Sequence, residues 1–236
     1  MTPSSAPIEA VVFDLDGVLL DSETFWDEAR RAVVARNGGH WREDATRAMM
    51  GMSSPEWSRY LHDELGVALA PEQINDEVVA TLLARYRHEL PLLPGAVEAV
   101  RRLAARWPLG LASSANRPVI DAVLERAGLT GSFTVTVSGE EVSRGKPAPD
   151  VYLAAVRKLA VDAEHAAAVE DSTNGLRSAA AAGMVVIAAP NRAYPPEPSA
   201  LGLAALVIGS LDELTPDAIE AAAITPSRVV DAADEP

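Results

Sequence analysis

Cysteine is absent from the 236 residues, so neither a disulfide nor a thiolate metal site is possible. That usage is compatible with a reducing interior. Lysine is almost missing too, with Lys146 and Lys158 the only two. No run approaches the roughly 20 apolar residues that span a bilayer. Residues 1–7 carry neither the basic nor the apolar stretch of a signal peptide, so the expectation is a cytoplasmic protein. Positive charge is scarce overall: 20 bases stand against 34 acids, and the net charge of -14 argues against nucleic acid or an anionic membrane as partner. It leaves room for a small phosphorylated metabolite, because a bound divalent cation reverses the local field. Nothing in the composition sets an oligomeric state.

A hydrophobic fraction of 48% is enough to build one large core or a core with an insert. Residues 8–13, Ile-Glu-Ala-Val-Val-Phe, read as a buried parallel strand. The strand runs into Asp14-Leu15-Asp16-Gly17. Polar groups at the carboxyl end of a central strand lie where open α/β sheets bind ligands. The two-residue period lets Asp14 and Asp16 face one pocket, and Gly17 permits a sharp departure of the backbone. Two acids so close repel, so a cation must neutralise them or one must hold a proton. A surface turn is the plainer reading, but a turn does not normally follow an apolar strand.

From residue 22 the pattern changes to helices. Phe25, Trp26, Ala29, Val33 and Val34 recur at spacings of three and four, ending at Gly38-Gly39. A short helix follows over 42–50, then one over 54–65, opened by Ser54 as cap with proline at the first position. A last one runs over 71–90. Seventy residues without a strand read as a helical cap inserted at 20–90. Beyond Pro94-Gly95, helices at 95–106, 117–127, 149–160, 173–182 and 211–223 alternate with strands at 109–112, 133–137, 166–169, 184–188 and 204–208. That alternation makes a doubly wound parallel, Rossmann-like α/β sheet. The expected division is a discontinuous core of 1–19 and 91–224, the cap, and a mobile acidic tail of 225–236.

Other strand ends also carry polar groups: Ser113 and Ser114 after one, Glu170 and Asp171 after another. Between them Gly145-Lys146-Pro147 holds a lysine in a fixed backbone course, which suits a cation aimed inward. The serines could instead cap a helix, and the acid pair could complement a helix dipole. One functional reading covers all of them: Asp14, Asp171 and Glu170 supply hard oxygen ligands for Mg²⁺, while lysine, hydroxyl and backbone N–H donors receive a phosphoryl group.

Those residues, in that order, resemble the four motifs of the haloacid dehalogenase superfamily, in the branch with a helical cap after the first motif. The resemblance implies Asp14 as nucleophile, forming an aspartyl-phosphate. It implies Asp16 as the acid that protonates the leaving alkoxide and the base that then activates water. Ser113 and Lys146 would bind the transferring phosphoryl oxygens. Mg²⁺ would rest on the Asp14 carboxylate, the Asp16 backbone carbonyl and Asp171, with Glu170 in support. The presence of Asp16 and of the Glu170-Asp171 pair argues against carbon–halogen hydrolysis. The phosphonate-cleaving relatives use a cap lysine, and the segment 19–90 has none.

A β-phosphoglucomutase is the nearest rival. Where those enzymes carry a histidine this chain has Trp26, and at their cationic cap positions it has Met50 and Ser54. The cap keeps arginines such as Arg30 and Arg42 but none at those positions, and so weakly cationic and apolar a cap favours a substrate with one phosphate, and hence a phosphatase. A catalytically silent module on the same fold would lack a nucleophile or ligand, and here none is missing. Glu23, Trp26, Met50 and Ser53 are candidates for touching the organic part of the substrate, and Ser114 and Asn116 for touching the phosphate.

Overall fold

The structure is a computed structural model that describes residues 7–49, 52–191 and 194–224; Met50 and the expected tail at 225–236 lie outside the described residues. Its centre is a six-stranded parallel sheet: β1 (Ala10–Phe13), β2 (Leu109–Ser113), β3 (Val135–Ser138), β4 (Ala166–Glu170), β5 (Val185–Ala188) and β6 (Leu206–Val207), in the order β3-β2-β1-β4-β5-β6. Strand alternation divides the core in two. Val11, Phe13, Leu109, Leu111 and Val169 belong to one apolar layer, and Ala10, Val12, Ala112, Ala166 and Ala168 to the other.

The first layer is covered by α5 (Ala96–Ala104), α6 (Arg117–Arg126) and α10 (Pro216–Ile224), through residues such as Val100, Leu103, Ile120 and Ile219. The second is covered by α7 (Asp150–Leu159), α8 (Thr173–Ala181) and the short α9 (Pro198–Leu201), through Tyr152, Ala155, Leu176 and Ala200. Helices on both faces and β1 in the middle make a doubly wound α/β fold. Successive strands run outward from β1 to β3 on one side and from β4 to β6 on the other. The order therefore reverses at β1 and β4, and ligands of such sheets bind beyond the carboxyl ends at that reversal.

The cap is inserted between β1 and α5. It holds α1 (Glu23–Arg36), α2 (Ala45–Met49), α3 (Ser54–Asp63) and α4 (Pro71–Tyr86), with no strand among its described residues. The outgoing and returning chains run side by side. Asp21 N–H donates to Pro91 O at 2.8 Å, Leu93 N–H to Leu19 O at 2.9 Å, and Leu20 bridges to Leu92.

Several boundaries differ from expectation, those of β3 and β6 among them. Ser53, not Ser54, caps α3, with the Glu56 carboxylate accepting from its N–H at 2.7 Å and its hydroxyl at 2.6 Å. The helix expected to reach residue 90 ends at Tyr86, four residues short of Leu90. The expected closing helix at 211–223 divides into a 3₁₀ turn at Leu211–Glu213 and α10, because Pro216 suits only a first helical turn. The turn of helix α9, opened by Pro198, was not anticipated.

Candidate active site

At the carboxyl end of β1, Asp14 donates its N–H to Val169 O at 3.0 Å, which ties the first motif to β4. Lys146 reaches this point from the loop before α7. Its Nζ donates to Asp14 Oδ1 at 2.7 Å and to Glu170 Oε1 at 2.6 Å, and all three side chains are buried. Glu170 is the anchor of the group. Oε1 also accepts from Tyr152 OH at 3.1 Å, and Oε2 accepts from the N–H groups of Asp171 and Ser172 and from the Ser172 hydroxyl at 2.9, 3.0 and 3.1 Å. The Ser172 hydroxyl in turn accepts from Gly175 N–H at 3.0 Å, capping α8. Glu170 is thus held from both oxygens and fixes where the lysine sits.

Two glycines make room for the acids. Gly17 has φ +81°, and a Cβ there would lie 2.0 Å from Asp171 Oδ2. At Gly175 a Cβ would lie 1.7 Å from Glu170 Oε1. A larger residue at Gly175 would collide with a carboxylate that Lys146, Tyr152 and Ser172 hold in place, and one at Gly17 would meet Asp171 from a backbone conformation that favours glycine.

Carboxylate oxygens of Asp14, Glu170 and Asp171 lie within 4.8 Å of one another. Burial pushes the Asp14 carboxyl up to about 7; Lys146 pulls against this, while Glu170 and Asp16 reinforce it. Burial likewise raises Asp171 well above the usual carboxylate range, with Glu170 and Asp14 adding to the effect. Burial disfavours the charge on Lys146, but Asp14 and Glu170 outweigh it and hold the ammonium above its ordinary value. One lysine therefore faces three acids. The donor set is all hard oxygen, which suits a divalent cation of the Mg²⁺, Ca²⁺ or Mn²⁺ type.

Asp16 looks toward the cap. Its Oδ1 accepts from the Ser22 hydroxyl at 2.5 Å and from Trp26 Nε1–H at 3.0 Å. Indole nitrogen is a donor only, so Oδ1 must remain an acceptor, and a proton carried by Asp16 belongs on Oδ2.

A cavity of about 660 Å³ opens between core and cap, lined by Asp14, Asp16, Lys146 and Asp171 below and by Glu23, Trp26, Arg30, Arg47 and Trp57 above. Of the residues singled out in the sequence, Ser114 also lines it. Ser113 does not: it is fully buried at the end of β2, its hydroxyl accepting from Ala115 N–H at 3.0 Å. Ser53 sits beside Gly145, where a Cβ would approach its side chain to 3.2 Å. Asn116 lies outside the cavity as well. It accepts from Ser54 Oγ at 2.9 Å and donates to Asn75 Oδ1 at 3.0 Å and Glu140 Oε1 at 2.6 Å, so it bolts the cap to the core. Met50 is outside the described residues.

The cap side is less apolar than its sequence suggests, because Arg30 and Arg47 both line the cavity. Arg30, one of the arginines of the cap sequence, stands four residues after Trp26, a spacing that puts both on one helix face. Tyr152, the second donor to Glu170 Oε1, was also missed. It stands six residues after Lys146 and two after Asp150, which opens α7, among apolar residues that read as core.

The family model for haloacid dehalogenase-like hydrolases matches residues 8–183. Hexitol phosphatase B of Escherichia coli strain K12 is 33% identical over 227 residues, covering 88% of this chain and 95% of its own. A phosphorylated carbohydrates phosphatase of Thermotoga maritima is 34% identical over 178 residues, 75% of this chain and 82% of the relative. Among solved structures, CbbY from Rhodobacter sphaeroides in complex with phosphate superposes with a TM-score of 0.79 at 30% identity, over 88% of this chain and 96% of the other. The matched stretch contains Asp14, Asp16, Lys146, Glu170 and Asp171, and the chain belongs to the haloacid dehalogenase-like hydrolases.

Proposed function

We propose that the protein is a Mg²⁺-dependent phosphatase that removes the phosphoryl group of a small sugar- or polyol-phosphate monoester through an aspartyl-phosphate. The observation that carries this reading is the pairing of two aspartates with unlike surroundings. Asp14 is buried and bonded to Lys146, whereas Asp16 is bonded to cap residues and has an oxygen to spare. Such a division suits one carboxylate as nucleophile and the other as proton carrier. Its relatives named for hexitol and carbohydrate phosphates support the substrate class.

Asp14, Asp171 and the backbone carbonyl of Asp16 would hold the Mg²⁺, which when bound neutralises charge on the phosphoryl oxygens. Lys146, together with the bound cation, would favour the ionised form of Asp14 and would donate to the transferring group, with Ser114, just past the end of β2, beside it. Asp14 attacks phosphorus while Asp16 Oδ2 delivers a proton to the departing alkoxide. The same oxygen then takes a proton from the water that hydrolyses the acyl phosphate. Glu170, with both oxygens engaged by donors, acts by positioning Lys146 rather than as a direct ligand. In this reading the chemistry belongs to a core of residues 1–19 and 91–224, and residues 20–90 cover it.

A panel of phosphorylated hexoses, hexitols and pentoses, with and without Mg²⁺, tests the reading. Metal-dependent release of phosphate from a subset is expected. No release with any divalent ion would refute it, and interconversion of hexose 1- and 6-phosphates primed by a bisphosphate would replace it with a mutase.

A further inference from the structure

Two cap residues, Glu23 and Arg30, form a polar corner of the cavity to which the proposed chemistry gives no role. Arg30 is only 7% exposed, yet it lines the cavity. Its guanidinium carbon lies 5.2 Å from the Trp26 ring centre and 5.3 Å from that of Trp57, which sit 6.2 Å apart. Two indole faces thus hold the cation in place. Its Nε has no hydrogen-bond partner. Glu23 stands two turns earlier on α1, on the same face, and also lines the cavity; its Oε1 has no partner either. No ion pair joins the two among the described residues. A buried donor and a buried acceptor left unmet are each costly, and here both border the space that a substrate would occupy.

A hydroxyl meets both needs at once, since it donates to a carboxylate and accepts from a guanidinium. A second phosphate fits less well, because its mostly dianionic oxygens at neutral pH accept rather than donate and would face the Glu23 charge. We propose that Glu23 and Arg30 are a specificity-determining pair that grips hydroxyl groups on the leaving-group end of a polyol phosphate. The inference deepens the phosphatase reading and rests on it. Trp26 connects the two functions, its ring face against Arg30 and its N–H on Asp16.

The test compares kcat/KM of the full-length wild type, Arg30→Met and Glu23→Gln on a hexitol monophosphate and on phenyl phosphate, which has no hydroxyl. Methionine keeps an unbranched stem between the indoles, and glutamine keeps the shape of Glu23. Each variant is expected to lose about 10- to 100-fold more on the hexitol ester than on the phenyl ester, chiefly through KM. Equal losses on both esters would overturn the pair as a reader of hydroxyls. So would a larger loss for Arg30→Met on a sugar bisphosphate with a gain for Glu23→Gln, which would mark an anion subsite shared with Arg47. A separate arm measures hexitol monophosphate binding in an Asp14→Asn background by calorimetry. Weakening of at least tenfold by either cap substitution supports the pair, and undiminished binding refutes it. Failure of wild-type turnover with binding intact would instead count against the phosphatase reading.

Discussion

Replacing Glu170 with glutamine keeps the volume of the side chain and removes its charge. Both ends of the carboxylate face obligate donors: Lys146 Nζ at Oε1, and the N–H groups of Asp171 and Ser172 at Oε2. Tyr152 and Ser172 hydroxyls can turn to accept, but an ammonium and backbone amides cannot. Whichever way the new amide is placed, its NH₂ opposes a donor, and one buried group is left unmet at about 1–3 kcal/mol. Lys146 also keeps one carboxylate where it had two. Breaking a buried pair costs about 3–5 kcal/mol, which we take as the whole effect since the two contributions overlap. For a chain of this size each kcal/mol moves Tm by about 2–4 °C, so the expected drop is about 6–20 °C. Because Lys146 loses its fixed position, kcat should fall about 100-fold even where the variant is fully folded. Thermal denaturation by circular dichroism and kinetics on one phosphomonoester read both quantities. A variant within 2 °C and threefold of wild type, as about the resolution of such assays, would refute the anchoring role of Glu170.

Three further outcomes follow from the same geometry. Asp14 keeps its proton to about 7 in the folded state against 3.8 unfolded, so between those values the folded state binds more protons and metal-free stability falls as pH rises. Asp14→Asn should therefore gain on wild type by up to about 1.4 kcal/mol per pH unit across that window in denaturant titrations, and Mg²⁺ should stabilise wild type more at pH 7 than at pH 5; parallel curves would contradict this. Trp26→Phe removes one of two donors to Asp16, so turnover of an alkyl phosphate should drop about tenfold while a nitrophenyl ester, whose leaving group needs little acid assistance, drops less. Asn116→Ala cuts the links to Ser54, Asn75 and Glu140, and hydrogen exchange in α3 and α4 should quicken about tenfold or more, with a raised KM; unchanged exchange would show that the cap is held by other contacts.

The sheet, its parallel sense and the helical insert were legible because their signals are periodic: apolar runs of four to six residues, helices spaced by glycine and proline, and a long stretch without strands. The acids and the lysine were legible because each stands at a strand end or in a rigid loop, and strand ends in such a sheet converge on one crevice. What could not be read was long-range side-chain partnership. Asn116 resembled a phosphate contact from its place after β2, but its amide meets Ser54 of α3 and Asn75 of α4, which lie 62 and 41 residues away along the chain. Arg30 belonged to a helix whose charged face reads as solvated until Trp57, from another helix, closes over it. Tyr152 looked like core, and it is buried; only its hydroxyl, aimed at Glu170, serves the site. Helix ends at Tyr86 and Ser53 moved by a few residues because caps depend on local hydrogen bonds that composition does not reveal.

Covalent capture of the phosphoryl group by Asp14 is the centre of the account. Rapid acid quench during steady turnover with Mg²⁺, followed by peptide mass analysis, reads it directly. One phosphoryl group on the peptide that contains Asp14, absent from Asp14→Asn, is the expected result. An unmodified Asp14 peptide under active turnover, or a phosphoryl group carried by any other residue, would contradict it.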